Sequence, residues 1–185
     1  MTVTEVARRR SPLEALSPAL AQLSGPRFSI AEDPFRVLTD VRCSSAARPL
    51  VAGLLGTTLP RIGESSTAGT STVLGLGERW WLVDAPDGHD PIAGLDRVSA
   101  VEVSAHYASL RLAGISVRDV LAHGTPIDVH EDHFREGMVV RTLLAKAQVI
   151  LARAGPDEYR VWVHASVARY LSLWLVDASA EYRFG

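Results

Sequence analysis

Residues 103–175 read VSAHYASLRLAGISVRDVLAHGTPIDVHEDHFREGMVVRTLLAKAQVILARAGPDEYRVWVHASVARYLSLWL, and this stretch switches repeatedly between two hydrophobic periods. Alternation every second residue marks half-buried strands, and apolar recurrence at i, i+3, i+4 marks helices. The switches predict a long strand or bent strand pair over 98–113, a helix over 116–123, strands over 138–154 and 158–165, and a last helix over 166–177. Gly155-Pro156-Asp157 is the turn between the two later strands. Ser116 is placed to cap the first helix, with Asp119 in the first turn where negative charge meets the positive end of the helix dipole. Val117, Val120 and Leu121 face one way, Gly124 closes the helix, and Pro126 prevents its continuation.

The last helix carries the sharpest inference. Val167, Tyr170, Leu171 and Trp174 take the spacing i, i+3, i+4, i+7 of a core-facing stripe, widened by Leu175. Leu173 and Val176 fall outside it. Leaving both in water forgoes about 1.5–3 kcal/mol each, which predicts a second contact surface on another protein chain. The N-terminal arm is the other segment able to cover it.

Upstream, the plan is similar. Residues 36–44 alternate as a strand, and Ser44 or Ser45 is placed to cap a helix with Leu50, Val51, Leu54 and Leu55 as its stripe and Gly56 in a left-handed terminal position. Residues 57–70 predict a loop, 72–76 and 79–85 a hairpin around Gly77-Glu78, and 86–98 a loop with a short helix. Residues 1–26 form an arm on which Leu13, Leu16, Leu20 and Leu23 recur at helical spacing, so Leu13 and Leu16 join Leu173 and Val176 as expected partner contacts. LGLGERWWLVDA in the first half and LARAGPDEYRVWVHA in the second share strand, acidic glycine turn, aromatic and strand. The fold class expected is α+β with duplicated strand, helix, strand-pair, helix units: an arm (1–26), then one domain (27–185) of halves 27–97 and 98–185.

Composition narrows the function. With 185 residues, 47% hydrophobic, the chain is able to bury a core of its own. Its net charge of −2 gives no electrostatic footprint for nucleic acid or an anionic membrane. Cys43 is the only cysteine, which excludes an internal disulfide or multi-cysteine metal site and suits a reducing cytoplasm. The longest apolar zone, 138–154, is broken by Arg141, Lys146 and Arg153, so a soluble protein is expected.

Candidate chemistry is sparse. Asp128, His130, Glu131, Asp132 and His133 are metal-ligand types, but one short polar segment seldom wraps a metal unaided, and no metal ligand is assigned. His89, His106, His123 and His164 stand apart, with no partner group in sequence. Gly75 and Gly77 lack the third glycine of a dinucleotide turn, residues 63–69 are not a nucleophile elbow, and no phosphate loop occurs. Arg141, Lys146 and Arg153 suit either solvated sheet charges or an anionic partner. No catalytic, cofactor-binding or metal residue is expected on this chain.

Several blocks together resemble one family: Arg10-Ser-Pro-Leu13, Trp80-Trp-Leu-Val83, residues 103–113, 119–124 and 126–130, Arg141-Thr-Leu-Leu-Ala-Lys-Ala-Gln148, and 159–175. The sequence is similar to the gamma subunit of heterotetrameric sarcosine oxidase. That resemblance implies the fold of the aminomethyltransferase folate-binding domain. It implies membership of a complex that oxidises sarcosine to glycine with hydrogen peroxide and formaldehyde or methylene-tetrahydrofolate, alongside larger alpha and beta flavoprotein subunits and a small delta subunit. FAD, FMN, NAD, zinc and tetrahydrofolate are then expected on those partners and no cofactor here. A related N-methyl amino acid oxidase, or a stand-alone folate-binding protein, is the alternative. The chain departs from the aminomethyltransferases in carrying Gly114-Ile115 where they usually have Gly-Pro, and in being much shorter.

Overall fold

The computed structural model describes residues 8–89, 92 and 98–182. Two five-stranded antiparallel sheets lie face to face. The first half supplies β1 (Ser29–Glu32), β2 (Val37–Arg42), α2 (Arg48–Leu55), β3 (Ser65–Ala68), β4 (Ser71–Gly77) and β5 (Trp80–Ala85), with α1 (Ser17–Leu23) before them. The second supplies β6 (Ser99–Glu102), β7 (Tyr107–Ala113), α3 (Val117–Ala122), β8 (Val139–Leu144), β9 (Ala147–Gly155), β10 (Glu158–His164) and α4 (Ala165–Ala178).

The sheet orders are β1-β7-β10-β9-β8 and β6-β2-β5-β4-β3. Shifting every strand by five converts one order into the other, so the chain is a duplication in which each half lends its first strand to the other half's sheet. A matched pair of turns joins the two sheets. Gly63 and Gly137 both adopt positive φ (82° and 80°), each at the third position of a turn closed by Glu64 N–H to Arg61 O and by Met138 N–H to Arg135 O. Only glycine takes that conformation without strain. Ser65 N–H then donates to Gly137 O at 2.7 Å and Val139 N–H to Gly63 O at 2.8 Å, a reciprocal crossing between β3 and β8.

Strand parity sorts the core into layers. Val149, Leu151, Tyr159, Val161 and Val163 pack outward from one sheet against α1, α3 and α4. Val41, Val73, Trp81 and Val83 pack outward from the other against Val51 and Leu55 of α2. Side chains of opposite parity from both sheets, including Leu38, Leu74, Leu82, Ile150 and Trp162, meet between them. With both faces covered, these strands read as nearly continuous apolar runs.

Several expectations are corrected. The strand over 138–154 is two strands joined at Ala145-Lys146, both left-handed (φ 49° and 70°). No glycine or asparagine announces that turn; Ala145 N–H donates to Gly124 O and the Tyr170 hydroxyl donates to Ala145 O, so tertiary contacts impose it. Left-handed backbone costs an L-residue about 1–2 kcal/mol. Replacing Ala145-Lys146 by Asn-Gly is therefore expected to stabilise the protein by about 1 kcal/mol, seen as a higher thermal midpoint. Ser116 does not cap α3: its backbone already turns inward (φ −95°, ψ 5°), and its buried hydroxyl meets no partner among the described residues. Neither Ser44 nor Ser45 caps α2, which follows a short 3-10 turn at Ser45–Ala47 and carries proline in its first turn, while Gly56 does end it left-handed. Of its expected stripe, Val51 and Leu55 are buried but Leu50 and Leu54 are about half exposed. The loop expected over 57–70 contains β3, and β1 was not expected at all. Most of 90–97 lies outside the described residues.

Candidate functional site

Where the two halves exchange strands, the β1–β2 turn, the β6–β7 connection and the arm enclose a cleft of about 580 Å³. That size suits a small ligand, so the decisive question is whether its walls present open donors or acceptors. Phe35, in the β1–β2 turn, is left-handed (φ 59°), which a bulky side chain adopts only when its surroundings hold it. Arg9 lies 4.7 Å over the Phe35 ring and pairs with Asp87 at 2.6 Å. The Ser11 hydroxyl donates to Glu32, whose carboxyl is pushed up by burial, while that hydroxyl and the backbone of Leu13 pull it back.

Deeper, between the sheets, Asp84 of β5 is fully buried. Arg36 Nε donates to its Oδ1 at 2.6 Å, Trp162 Nε1 donates to Oδ2 at 3.0 Å, and Arg160 approaches Oδ2 at 3.6 Å. Burial pushes this carboxyl up; the guanidinium of Arg36 opposes it most, then Arg160 and Trp162. Arg160 also reaches Asp33 at 3.4 Å. The charged groups named here are thus engaged by the chain itself, and the arm is strapped over the opening.

The other sequence candidates take structural places. His133 pairs with Asp128 at 2.6 Å and His130 with Asp132 at 3.4 Å on an exposed loop. Asp128 accepts the backbone N–H of His130 and its carboxyl is held low, first by that bond. No three metal-ligating side chains converge among the described residues. His164 stacks on Tyr107, and His123 bonds the Tyr182 hydroxyl at 2.8 Å. Arg153 is no surface anion site: it is buried, with its guanidinium donating to the carbonyls of Phe134, Gly155 and Pro156. Lys146 sits in the β8–β9 turn, and Arg141 stacks on Trp80. Gly75 and Gly77 flank a bulge in β4.

Of the four expected partner contacts, three are taken up by the chain's own core. Leu13 is 1% exposed, and Leu16 and Val176 pack half-buried against the same cluster. The arm docks because α1 lies on β1 and α4. The inner stripe of α4 is Ala168, Leu171, Ser172 and Leu175, not the stripe read from its larger residues. Small Ala168 and Ser172 let the helix lie close on β7 and β10, which turns Val167 (36%), Tyr170 (48%) and Leu173 (38%) outward. Leu173 therefore keeps a solvent-facing position.

This duplicated, strand-exchanged sandwich can be compared with known proteins. The family model described as sarcosine oxidase, gamma subunit, matches residues 51–181. The chain belongs to the sarcosine oxidase gamma subunit family. Within it, the chain is 32% identical to the sarcosine oxidase subunit gamma of an Arthrobacter species, covering 94% of this chain and 91% of that one. The subunit of Corynebacterium sp. strain P-1 is 31% identical over the same shares. The structure is similar to a chain of heterotetrameric sarcosine oxidase from Corynebacterium sp. U-96, with TM-score 0.87 and 27% identity over 96% of this chain and 97% of that chain. The fold is also that of the glycine cleavage system aminomethyltransferase T of Bartonella henselae, with TM-score 0.71 at 14% identity over 58% of that chain. No helix among the described residues is long and apolar enough to cross a membrane.

Proposed function

We propose that this chain is a non-catalytic assembly subunit of a flavin-dependent sarcosine oxidase, holding larger chains in place through the outer face of α4. The family places it in an oxidoreductase complex. The observation that supports the structural role is a contrast: Arg9, Arg36, Asp84 and Asp87 around the central cleft are paired within the chain, while Val167, Tyr170 and Leu173 stay partly exposed on one helix face. Flavins, NAD, zinc and tetrahydrofolate are assigned to partner chains of alpha, beta and delta type, and the complex to the cytoplasm, where the lone Cys43 stays reduced. Sarcosine turnover is then a property of the complex and absent from this chain alone.

The test is Leu173→Asp in the chain expressed with its partner subunits. Because Leu173 already faces outward, the variant should keep its circular dichroism and lose no more than about 1 kcal/mol of stability. Recovery of the complex should fall tenfold or more, as for a truncated interface anchor. Val176→Asp is the contrasting control and should unfold the chain, since Val176 packs on the core. Undiminished assembly of Leu173→Asp, or oxidase activity of the isolated chain, refutes the proposal.

A further inference from the structure

The layer between the sheets ends in a charged rim on either side, and the two rims differ. One is closed by Asp84, which engages Arg36 and Arg160. At the other, β5 begins with half-buried Trp80, and Arg42 from β2 and Arg141 from β8 each place a guanidinium 4.6 Å from its ring centroid. Trp80 Nε1 donates to Asp40 at 2.8 Å, and Arg42 Nε to the same carboxylate at 3.1 Å. Arg79, in the preceding turn, shares an open notch with Arg42, Ser44 and Trp80. Neither Arg79 nor Arg141 meets a carboxylate among the described residues, and Glu78 lines a different notch with Arg48 and Arg61. Of the three cations at this rim, only Arg42 is paired with a carboxylate among the described residues.

A single unpaired surface arginine means little. This group differs because the Trp80 indole holds the guanidinium carbons of both Arg42 and Arg141 over its ring, a cation–π contact that consumes none of their N–H donors. Ordering those side chains has already been done in the free chain, so little conformational entropy is lost when a ligand arrives. Guanidinium is also weakly hydrated and matches carboxylate bidentately, and Lys146 is the only lysine among nineteen basic residues. Tryptophan and arginine together are the side chains most enriched at energetic centres of protein interfaces.

We propose that this rim docks an acidic segment of another subunit of the complex, its Asp or Glu carboxylates paired with Arg79 and Arg141 and a neighbouring side chain resting on Trp80. The proposal rests on the subunit reading above but uses a surface separate from α4. The open notch is walled by residues of one sheet, with Arg141 set beside it on the other, so a small anion there stays solvated, while a polypeptide carrying several carboxylates spans both.

The experiment is assembly of the full complex through a tag on this chain, across a NaCl titration, for wild type, Leu173→Asp, Trp80→Ala and the double variant Arg79→Glu/Arg141→Glu. Circular dichroism of each variant confirms folding, with Arg79→Gln/Arg141→Gln as the milder substitute if charge reversal unfolds the chain. The expected result is that charge reversal weakens assembly at least tenfold at low salt and flattens its salt dependence. Trp80→Ala should weaken it to a similar extent, while Leu173→Asp should leave the salt slope unchanged. A photo-crosslinking phenylalanine analogue at position 44, on the exposed wall of the same notch, should capture a partner peptide rich in Asp or Glu. Wild-type assembly by the folded charge variant, capture of a peptide without acidic residues, or saturable binding of free citrate with assembly unaffected overturns this proposal and spares the α4 reading. Failure of the wild-type chain to capture any subunit overturns both.

Discussion

Gly75→Ala should be among the most damaging single-methyl changes in this protein, costing about 3 kcal/mol or more and lowering the thermal midpoint by roughly 10 °C. The cause is the segment that rests on β4. A Cβ at Gly75 would sit 2.0 Å from the carbonyl oxygen of Arg61 and 3.2 Å from that of Pro60, both backbone atoms that no rotamer change can move aside. The same segment enters the crossing between the sheets: Gly75 N–H donates to Glu64 O, Gly63 N–H donates to Gly75 O, and Trp81 Nε1 donates to Pro60 O at 3.0 Å. Pushing it away strains the crossing as well as the contact. The second half solves the same problem differently. Arg153 stands at the equivalent position, with N–H to Met138 O and its carbonyl accepting from Gly137 N–H, and its guanidinium holds the Phe134 carbonyl at 3.0 Å. Gly53→Ala is the internal control, because nothing lies within 4 Å of its Cβ position in α2. It should stabilise by about 0.5–1 kcal/mol. Equal and small effects of the two substitutions, measured by thermal denaturation, would remove the packing argument.

What was legible in the sequence was what local pattern controls. RVLTDV and EYRVWVH read as strands, which the structure covers on both faces rather than one, and the periodicity around residues 166–177 marks α4 within one or two residues of its ends. The elements it did not reveal are set by distant partners. Strand β3 is Ser-Ser-Thr-Ala, four small residues with no apolar alternation, drawn into a sheet by pairing with β4 and by the Ser65 bond to Gly137. Strand β1 has four residues and, among the described residues, pairs with β7 alone, from the other half. The sequence does carry one signal of the crossing: Arg61-Ile-Gly63 and Arg135-Glu-Gly137 are the same turn repeated, and they mark the crossing point of the duplication. At the candidate sites, Leu173 lies outside the inner stripe as its spacing predicts, but that stripe runs through Ala168 and Ser172, small residues that a pattern of large apolar side chains does not mark. Period two separates Trp81, in the core, from Trp80, at the rim; that Arg141 arrives there from β8 is a fact of sheet packing.

The rim closed by Asp84 leads to the second large effect, in which Asp84→Ala should cost about 3–5 kcal/mol. Removing one partner of a buried ion pair leaves the other charged and desolvated, and here Arg36 Nε and Trp162 Nε1 both lose their acceptor. Asp84→Asn keeps an acceptor without the charge and should fall between the two. Removing both ends, in Asp84→Leu with Arg36→Met, should recover part of the loss, because the desolvated Arg36 charge goes with its partner, while Trp162 Nε1 and Arg160 still lack the carboxylate. A double-mutant cycle by chemical denaturation reads these values; additivity of the single changes would mean that the pair does not act as a unit. The consequence extends to the arm. Arg36, anchored on Asp84, directly follows the left-handed Phe35, and Phe35 is the ring over which Arg9 lies. Loosening Arg36 should therefore release the strap at residues 9–12 before the sandwich unfolds, so limited proteolysis of folded Asp84→Ala should cut there faster than in the wild-type chain.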